Sequence, residues 1–330
     1  MGVKDKRFLL VGCGSIGRRH IKNLAALGAR SFLLCDLNED RLVAARGCLP
    51  GNAEVEFFTD YDLALTRDPD AVLICTPSSM HCEMSMKAAR CAVNLFIEKP
   101  LSHSIDGVAE LIETVNENKL VAAMAMCYRF HPVLLRLKAM LDDNVLGRLY
   151  HANCYGGYYL PYWHPDEDYR REYAAQKNLG GGVILTSIHG FDNLRWLFGE
   201  VELINAIVDR VGDLEMDVED MALGTFKMKS GLYISWQTDF LRKSDEHMYV
   251  IVGEQGTLRC NVLEGLIEHY CAQSRSWSSE RIAFDVNSMY VSEMESFVNA
   301  LESGSAVAVD LDEGRRTLRL ALDIKAQGGY

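Results

Sequence analysis

The chain has 330 residues, 48% of them apolar, and a net charge of −12. That length suffices for two domains of ~150 residues with packed cores, and the acidic balance argues against a nucleic-acid partner, which needs a basic face. No apolar run approaches the ~20 residues of a membrane span, and the ten cysteines, lacking a Cys-x-x-Cys pair or a zinc-spaced His/Cys cluster, read as reduced thiols of a cytoplasmic protein with no metal site.

Arg7 to Val11 reads as a short buried strand. Leu10-Val11-Gly12-Cys13 imitates a lipoprotein cleavage site, but the apolar stretch before the cysteine is shorter than the ~7–15 residues of a signal-peptide core. Gly12-Cys13-Gly14-Ser15-Ile16-Gly17 follows at once and opens a helical pattern from Ile16 to Leu27. In such a G-x-G-x-x-G turn the first glycine makes the bend and the second lets the backbone approach a pyrophosphate. The third lets helix and strand pack closely, with the helix N-terminus facing the anion. Gly12, Gly14, Ser15, Ile16 and Gly17 are therefore expected to bind a dinucleotide. Ser31 to Cys35 is the second strand and ends in Asp36, near the ~20-residue interval at which an acid meets the adenosine ribose. A carboxylate there accepts from the 2′-hydroxyl and repels a 2′-phosphate, which favours NAD over NADP. The plainer role, capping the next helix, can be filled by Asn38 as well.

The alternation continues. Strands are expected over Val55 to Phe58, Asp70 to Cys75, Asn94 to Ile97 and Leu120 to Ala125, with helices at Asp60 to Leu65, Ser79 to Cys91 and Ile105 to Asn116. Strands alternating with helices indicate a doubly wound parallel sheet, here a Rossmann domain over residues 1–126. Asn94 to Ile97 stops abruptly at Glu98-Lys99-Pro100-Leu101. Ligands of open α/β sheets bind beyond the carboxyl ends of the strands, so Glu98, Lys99 and Thr76 share that edge with the glycine loop. A lysine there can hold a hydroxyl or carbonyl oxygen while a hydride moves; a surface ion pair is the plainer reading.

With Gly12-x-Gly14-x-x-Gly17, Thr76-Pro77-x-x-x-His81, Glu98-Lys99-Pro100-Leu101 and Tyr128-Arg129-Phe130-His131-Pro132, the whole chain resembles the glucose-fructose oxidoreductase / inositol dehydrogenase (Gfo/Idh/MocA) family. The resemblance implies a Rossmann domain followed by an α+β domain, here residues 127–330, built on an open, mostly antiparallel sheet. It also implies a tightly held nicotinamide cofactor and a sugar, inositol or nucleotide-sugar substrate. Lys99 is implied beside the nicotinamide and the reacting oxygen, and Thr76, Pro77, His81, Glu98 and Arg129 along the cofactor. The Asn of the family's Asn-x-Arg falls on Cys127.

Pro132 to Leu141 has a helical apolar face, and Leu149 to Tyr155 looks like a strand. The loop from Tyr158 to Tyr173, with Trp163-His164-Pro165-Asp166-Glu167-Asp168-Tyr169-Arg170, can stack on a sugar ring and bind its hydroxyls, or act as a lid or subunit contact. Trp163, Tyr169 and Arg170 are its candidate substrate residues. Gly180-Gly181-Gly182 leads into one helix from Val183 to Phe198, on which His189 and Asp192 stand at i,i+3. A histidine titrating near ~6.5 can exchange a hydroxyl proton at neutral pH; a lone histidine on such a face is more often structural. In the family's Gly-Gly-Gly…Asp-x-x-His pattern, His189 matches and the Asp place falls on Thr186, which leaves three readings: Lys99 and His189 suffice, Asp192 substitutes in part, or activity is altered. Strands follow over Glu202 to Val211, Asp220 to Lys229, Leu232 to Thr238, Met248 to Gly253 and Gly256 to Leu263, then helices over Met289 to Leu301 and Glu313 to Ala326. An open apolar sheet face needs a cover, which implies a homodimer or homotetramer through the C-terminal sheet.

The leading expectation is an NAD(P)-dependent oxidoreductase acting on a secondary hydroxyl of a sugar-type substrate. The catalytic set is Lys99, His189 and Asp192, with Thr186 near the substrate. Two rivals remain: a redox-neutral NAD-dependent glycoside hydrolase, and a dinucleotide-binding sensor without turnover.

Overall fold

The computed structural model describes residues 2–163, 165 and 167–330. His164 and Asp166 of the aromatic loop lie outside the described residues. The chain divides into two compact units, Met1–Cys127 with Tyr290–Arg316, and Tyr128–Met289 with Thr317–Tyr330.

The first unit alternates strand and helix: β1 (Arg7–Val11), α1 (Ser15–Ala26), β2 (Ser31–Cys35), α2 (Glu39–Gly47), β3 (Glu54–Phe58), α3 (Tyr61–Leu65), β4 (Ala71–Ile74), α4 (His81–Arg90), β5 (Asn94–Ile97), α5 (Val108–Glu117) and β6 (Ala122–Met124). The strands form one parallel sheet in the order β3-β2-β1-β4-β5-β6. Strand β4 and all but the first residue of β1, β2 and β5 are buried, the pattern of strands covered on both faces. Apolar residues of α1 (Ile21, Leu24) and of the segment from Tyr290 onward (Met294, Phe297, Val298) close a core on Phe8, Leu10, Phe32 and Phe96. Caps fix the helix starts. Asn38 Oδ1 accepts from the amides of Asp40 and Arg41, and Asp60 from that of Leu63. The order reverses between β1 and β4, so the carboxyl ends of β1, β2, β4 and β5 frame the ligand crevice of such a sheet.

The second unit holds α6 (Pro132–Asp142), β7 (Leu149–Tyr159), α7 (Leu160–Trp163), α8 (Val183–Thr186), α9 (His189–Phe198), β8 (Val201–Asp209), β9 (Met221–Met228), β10 (Tyr233–Asp239), β11 (Leu241–Gly253), β12 (Gly256–Asn261), β13 (Leu266–Cys271) and β14 (Ser276–Arg281). Helices α10 (Val286–Ser303) and α11 (Leu311–Gln327) complete the chain. The eight strands run in the order β14-β13-β12-β11-β7-β10-β9-β8, antiparallel except for β7 with β10. One face alternates into the core (Ala152, Cys154, Ile234, Trp236, Tyr249, Ile251, Leu258, Cys260) and the other stays open. Helix α9 lies on the covered face, with Phe191 against Trp236 at a ring separation of 4.3 Å. Two features differ from expectation. The helix read as continuous from Val183 to Phe198 is broken at Ser187–Ile188, and the sheet continues through β13 and β14. β14 is exposed along its whole length, so no apolar alternation announced it.

Candidate active site

In the first unit the glycine loop is built by close approach. Gly12 sits at φ +92°, and a Cβ there would stand 2.4 Å from the Cys75 carbonyl oxygen; one on Gly17 would stand 2.1 Å from that of Gly12. A Cβ on Gly14 would meet no protein atom within 4 Å, so the loop opens outward there. Gly14 caps α1 without a side-chain bond, and the amides at Ser15 and Ile16 begin the helix as an anion-facing end. Asp36, at the end of β2, is held by two amides: Oδ2 accepts from Cys13 N at 2.7 Å and Oδ1 from Asn38 N at 2.9 Å. Its carboxylate is thus turned toward the glycine loop.

Beyond β4 and β5 lies a polar cluster. The hydroxyl of Thr76 is buried and has no hydrogen-bond partner among the described residues. His81 is buried, with Nδ1 2.6 Å from the Pro100 carbonyl oxygen and Nε2 2.8 Å from that of Thr76. Burial pushes its pKa down against the pull of those two carbonyls. Both His81 nitrogens thus face backbone carbonyls, only one of which a neutral ring can donate to, and any role toward cofactor runs through the Thr76–Pro77 and Lys99–Pro100 segments. Glu98 Oε1 pairs with His20 Nε2 at 2.6 Å, and Oε2 accepts from the Lys99 amide at 3.0 Å. Burial raises the Glu98 pKa, but His20 and Lys99 outweigh it and the net shift is downward. Glu293 is the counterexample. It is buried, neither oxygen has a hydrogen-bond partner among the described residues, and burial together with the Glu98 charge drives its pKa well above the usual range. Cys127, in the family's Asn place, is a buried thiol held protonated chiefly by burial.

In the second unit Arg129 grips Asp192 with a two-pronged ion pair, Nε to Oδ2 at 2.8 Å and Nη2 to Oδ1 at 2.7 Å. Asp192 Oδ1 also accepts from Thr317 Oγ1 at 3.4 Å. That hydroxyl accepts from Arg195 Nη1 at 2.8 Å, and Arg195 in turn pairs with Glu200. Both Asp192 oxygens are therefore engaged, and Arg129 is turned onto them. Thr186 is buried on α8. His189 opens α9 and meets the Tyr128 ring edge-on at 4.8 Å, while His131 stacks on the same ring at 5.8 Å and His247 meets it edge-on at 5.2 Å. Burial lowers the pKa of both His131 and His247 to about 4. In the aromatic loop, Trp163 packs on Tyr158 at 5.5 Å, the Tyr169 hydroxyl accepts from the Glu215 amide at 3.1 Å, and Arg170 is taken up by Asp168 and Glu215.

Sequence reading missed His20, Glu293 and His247, although each left a trace. His20 stands among Gly17, Ile21 and Leu24 on the buried stripe of α1, and Glu293 among Met289, Met294 and Phe297 on that of α10. His247 alternates with Tyr249 and Ile251 in β11. A charged or imidazole side chain in phase with an apolar stripe is the signal.

Residues 6–126 match the oxidoreductase family with an NAD-binding Rossmann fold, and residues 134–259 match the GFO/IDH/MocA C-terminal domain. The chain belongs to the Gfo/Idh/MocA family. It is an oxidoreductase of the kind that uses a nicotinamide cofactor on CH–OH groups. Among relatives of this Gfo/Idh/MocA chain, the myo-inositol 2-dehydrogenase of Thermotoga maritima is 24% identical, covering 97% of this chain and 95% of its own. An inositol 2-dehydrogenase of Rhizobium meliloti is 26% identical, over 96% and 94%. Among solved folds, a levoglucosan dehydrogenase with NADH and levoglucosan superposes with a TM-score of 0.85 at 18% identity, over 98% and 97% of the two chains. The WlbA dehydrogenase of Bordetella pertussis with NADH and UDP-GlcNAcA gives 0.82 at 22%, over 100% and 97%. The residues present fit a dinucleotide: Gly12 and Gly17 leave no room for a side chain, Gly14 faces open space, and the start of α1 lacks a side-chain cap.

Proposed function

We propose that this oxidoreductase transfers hydride between NAD and a secondary hydroxyl or keto group of a sugar, an inositol or a nucleotide sugar. The observation that carries the reading is the grouping of the glycine loop, Asp36, Thr76 and Glu98–Lys99 at the carboxyl ends of β1, β2, β4 and β5. The named substrates of the relatives supply the chemical class. Gly12 to Gly17 would hold the pyrophosphate, and Asp36 the adenosine ribose. Asp36 already faces the loop as a carboxylate, so a 2′-phosphate would be repelled and NAD preferred. The bound nicotinamide supplies the hydride acceptor.

Lys99 steadies the substrate oxygen as its charge develops, and the Glu98–His20 pair beneath fixes the backbone amide of Lys99. His189 takes the hydroxyl proton. Asp192 acts through Arg129 as a positioning group for the start of α9, because both its oxygens are engaged. Trp163, Tyr169, Arg170 and Thr186 are assigned to substrate. None of the ten cysteines is joined in a disulfide, in keeping with a cytoplasmic setting. Across the open sheet face Trp277, Tyr270, Thr257, Val252, His151 and Tyr233 form one row, and Trp277 and Tyr233 are about half exposed. That row supports a homodimer, or a homotetramer, formed through the sheet.

The test is absorbance of reduced nicotinamide on mixing the protein with NAD or NADP and a panel of myo-inositol, levoglucosan and UDP-N-acetylglucosamine. A signal with one class, lost in Lys99→Ala while NAD still binds, is the expected result. Normal turnover in Lys99→Ala would refute the assignment.

A further inference from the structure

Asn193 stands one turn after His189 on α9. It is buried and donates from Nδ2 to the Tyr249 hydroxyl at 3.0 Å. That hydroxyl is itself buried and lies 2.9 Å from His247 Nε2. A phenol oxygen that accepts from an amide still has its own hydrogen to give, and His247 Nε2 is the acceptor in reach. Nε2 must then present a lone pair. Burial, reinforced by the facing His131, keeps the ring neutral, so its one hydrogen sits on Nδ1. Nδ1 makes no hydrogen bond among the described residues, and His247 is half-buried. Tyr128 joins this ring to His189, meeting the two edge-on at 5.2 and 4.8 Å.

We propose that His247 is a substrate-contacting residue whose hydrogen is fixed on Nδ1 by the Asn193–Tyr249 chain, so that it offers an N–H donor beside His189 to a substrate oxygen. Tyr249 and Asn193 are positioning residues that act through it. The proposal rests on His189 serving the substrate, and it narrows the ligand there to one presenting a hydroxyl, carbonyl or carboxylate oxygen as acceptor. A ring free to choose would exchange its hydrogen between both nitrogens; here a buried amide selects the form.

The tautomer is read first, without cofactor or substrate, by nitrogen NMR of the ¹⁵N-histidine-labelled full chain at neutral pH. The expected result is hydrogen on Nδ1 and a bare Nε2 for His247, reverting to Nε2–H in Tyr249→Phe. Hydrogen on Nε2 in the unaltered protein, or no change in Tyr249→Phe, overturns the chain. Contact is then read by steady-state kinetics with the panel of myo-inositol, levoglucosan and UDP-N-acetylglucosamine. His247→Phe is expected to raise KM about 5- to 10-fold with kcat nearly unchanged, the loss of one neutral hydrogen bond. His247→Asn, whose amide nitrogen can occupy the Nδ1 place, should restore KM to within about twofold. An unmoved KM in His247→Phe overturns the contact. A panel silent throughout overturns the oxidoreductase reading and the contact with it, while the NMR result still decides the tautomer.

Discussion

Glu293→Gln should stabilise the first unit increasingly as pH rises. Glu293 is buried to 3% exposure with no donor on either oxygen among the described residues, and Glu98 beside it already holds the local negative charge through His20 and the Lys99 amide. Burial and that neighbour raise its pKa well above the ordinary 4.5, so the folded chain keeps a proton that the unfolded chain releases. In that window the folded state binds more protons than the unfolded one, and stability falls as pH rises, by up to about 1.4 kcal/mol per unit. Glutamine has the shape of the neutral acid and cannot ionise. The stability gap between variant and parent should therefore widen from about pH 5 upward, reaching up to about 3 kcal/mol by pH 7. Titrations common to both proteins cancel in the difference. All four tryptophans lie beyond Tyr128, outside the first unit, so their fluorescence would report on the wrong part of the chain. Urea unfolding should be followed by circular dichroism, with amide exchange in β1 and β4 assigning the transition. A gap that stays flat or narrows with pH would mean that Glu293 is ionised and stabilised when folded, and the reasoning would fail.

Three further outcomes are expected. Lys325→Met should destabilise the chain by about 3–5 kcal/mol in denaturant melts, because it strands the buried Glu219 carboxylate that Lys325 Nζ now meets at 2.8 and 2.9 Å. Gly17→Ala should abolish NAD binding in calorimetric titration, since its Cβ would stand 2.1 Å from the Gly12 carbonyl oxygen and force the loop open; retained affinity would count against the loop assignment. Asp36→Ser should narrow the preference for NAD over NADP by tenfold or more in kcat/KM, because a hydroxyl keeps a ribose contact and removes the carboxylate charge; an unchanged ratio would place selectivity elsewhere.

The first unit was legible because its signals are local. Apolar runs of four or five residues, each closed by a turn, can only be buried parallel strands in that context, and the glycine loop carries its geometry in three residues. The second unit was less so. β14 is polar apart from Trp277 and is held by its pairing with β13, and the charged start of β11 (Arg242 to Glu246) is equally silent. The break at Ser187 was hidden by apolar residues that keep helical phase across it. Site residues divided in the same way. Lys99 and His189 could be singled out because they sit in motifs, whereas the partners that define Asp192 are 63 residues before it and 125 residues after it in sequence. Periodicity places a residue on a face; it does not say what waits opposite.

That distinction bears on Thr186, the departure from the family pattern. A carboxylate on the buried start of this helical segment needs a cation with a matching fork. Arg129 is such a cation, and its fork is filled by Asp192, six residues further on. An aspartate at position 186 would be a second buried carboxylate beside an arginine fork already filled by Asp192, and without a cation of its own it would cost several kcal/mol. His131 and His247 cannot replace it at neutral pH, since burial holds both to pKa values of about 4. The negative charge has thus not been lost from the neighbourhood of His189. It stands three residues after the histidine instead of three before it, locked by an arginine, and so it can fix the helix start but cannot share a proton with His189. A base without a proton-sharing carboxylate must rely on its own imidazole, which is why the proton step is assigned to His189 and Asp192 is left as scaffold.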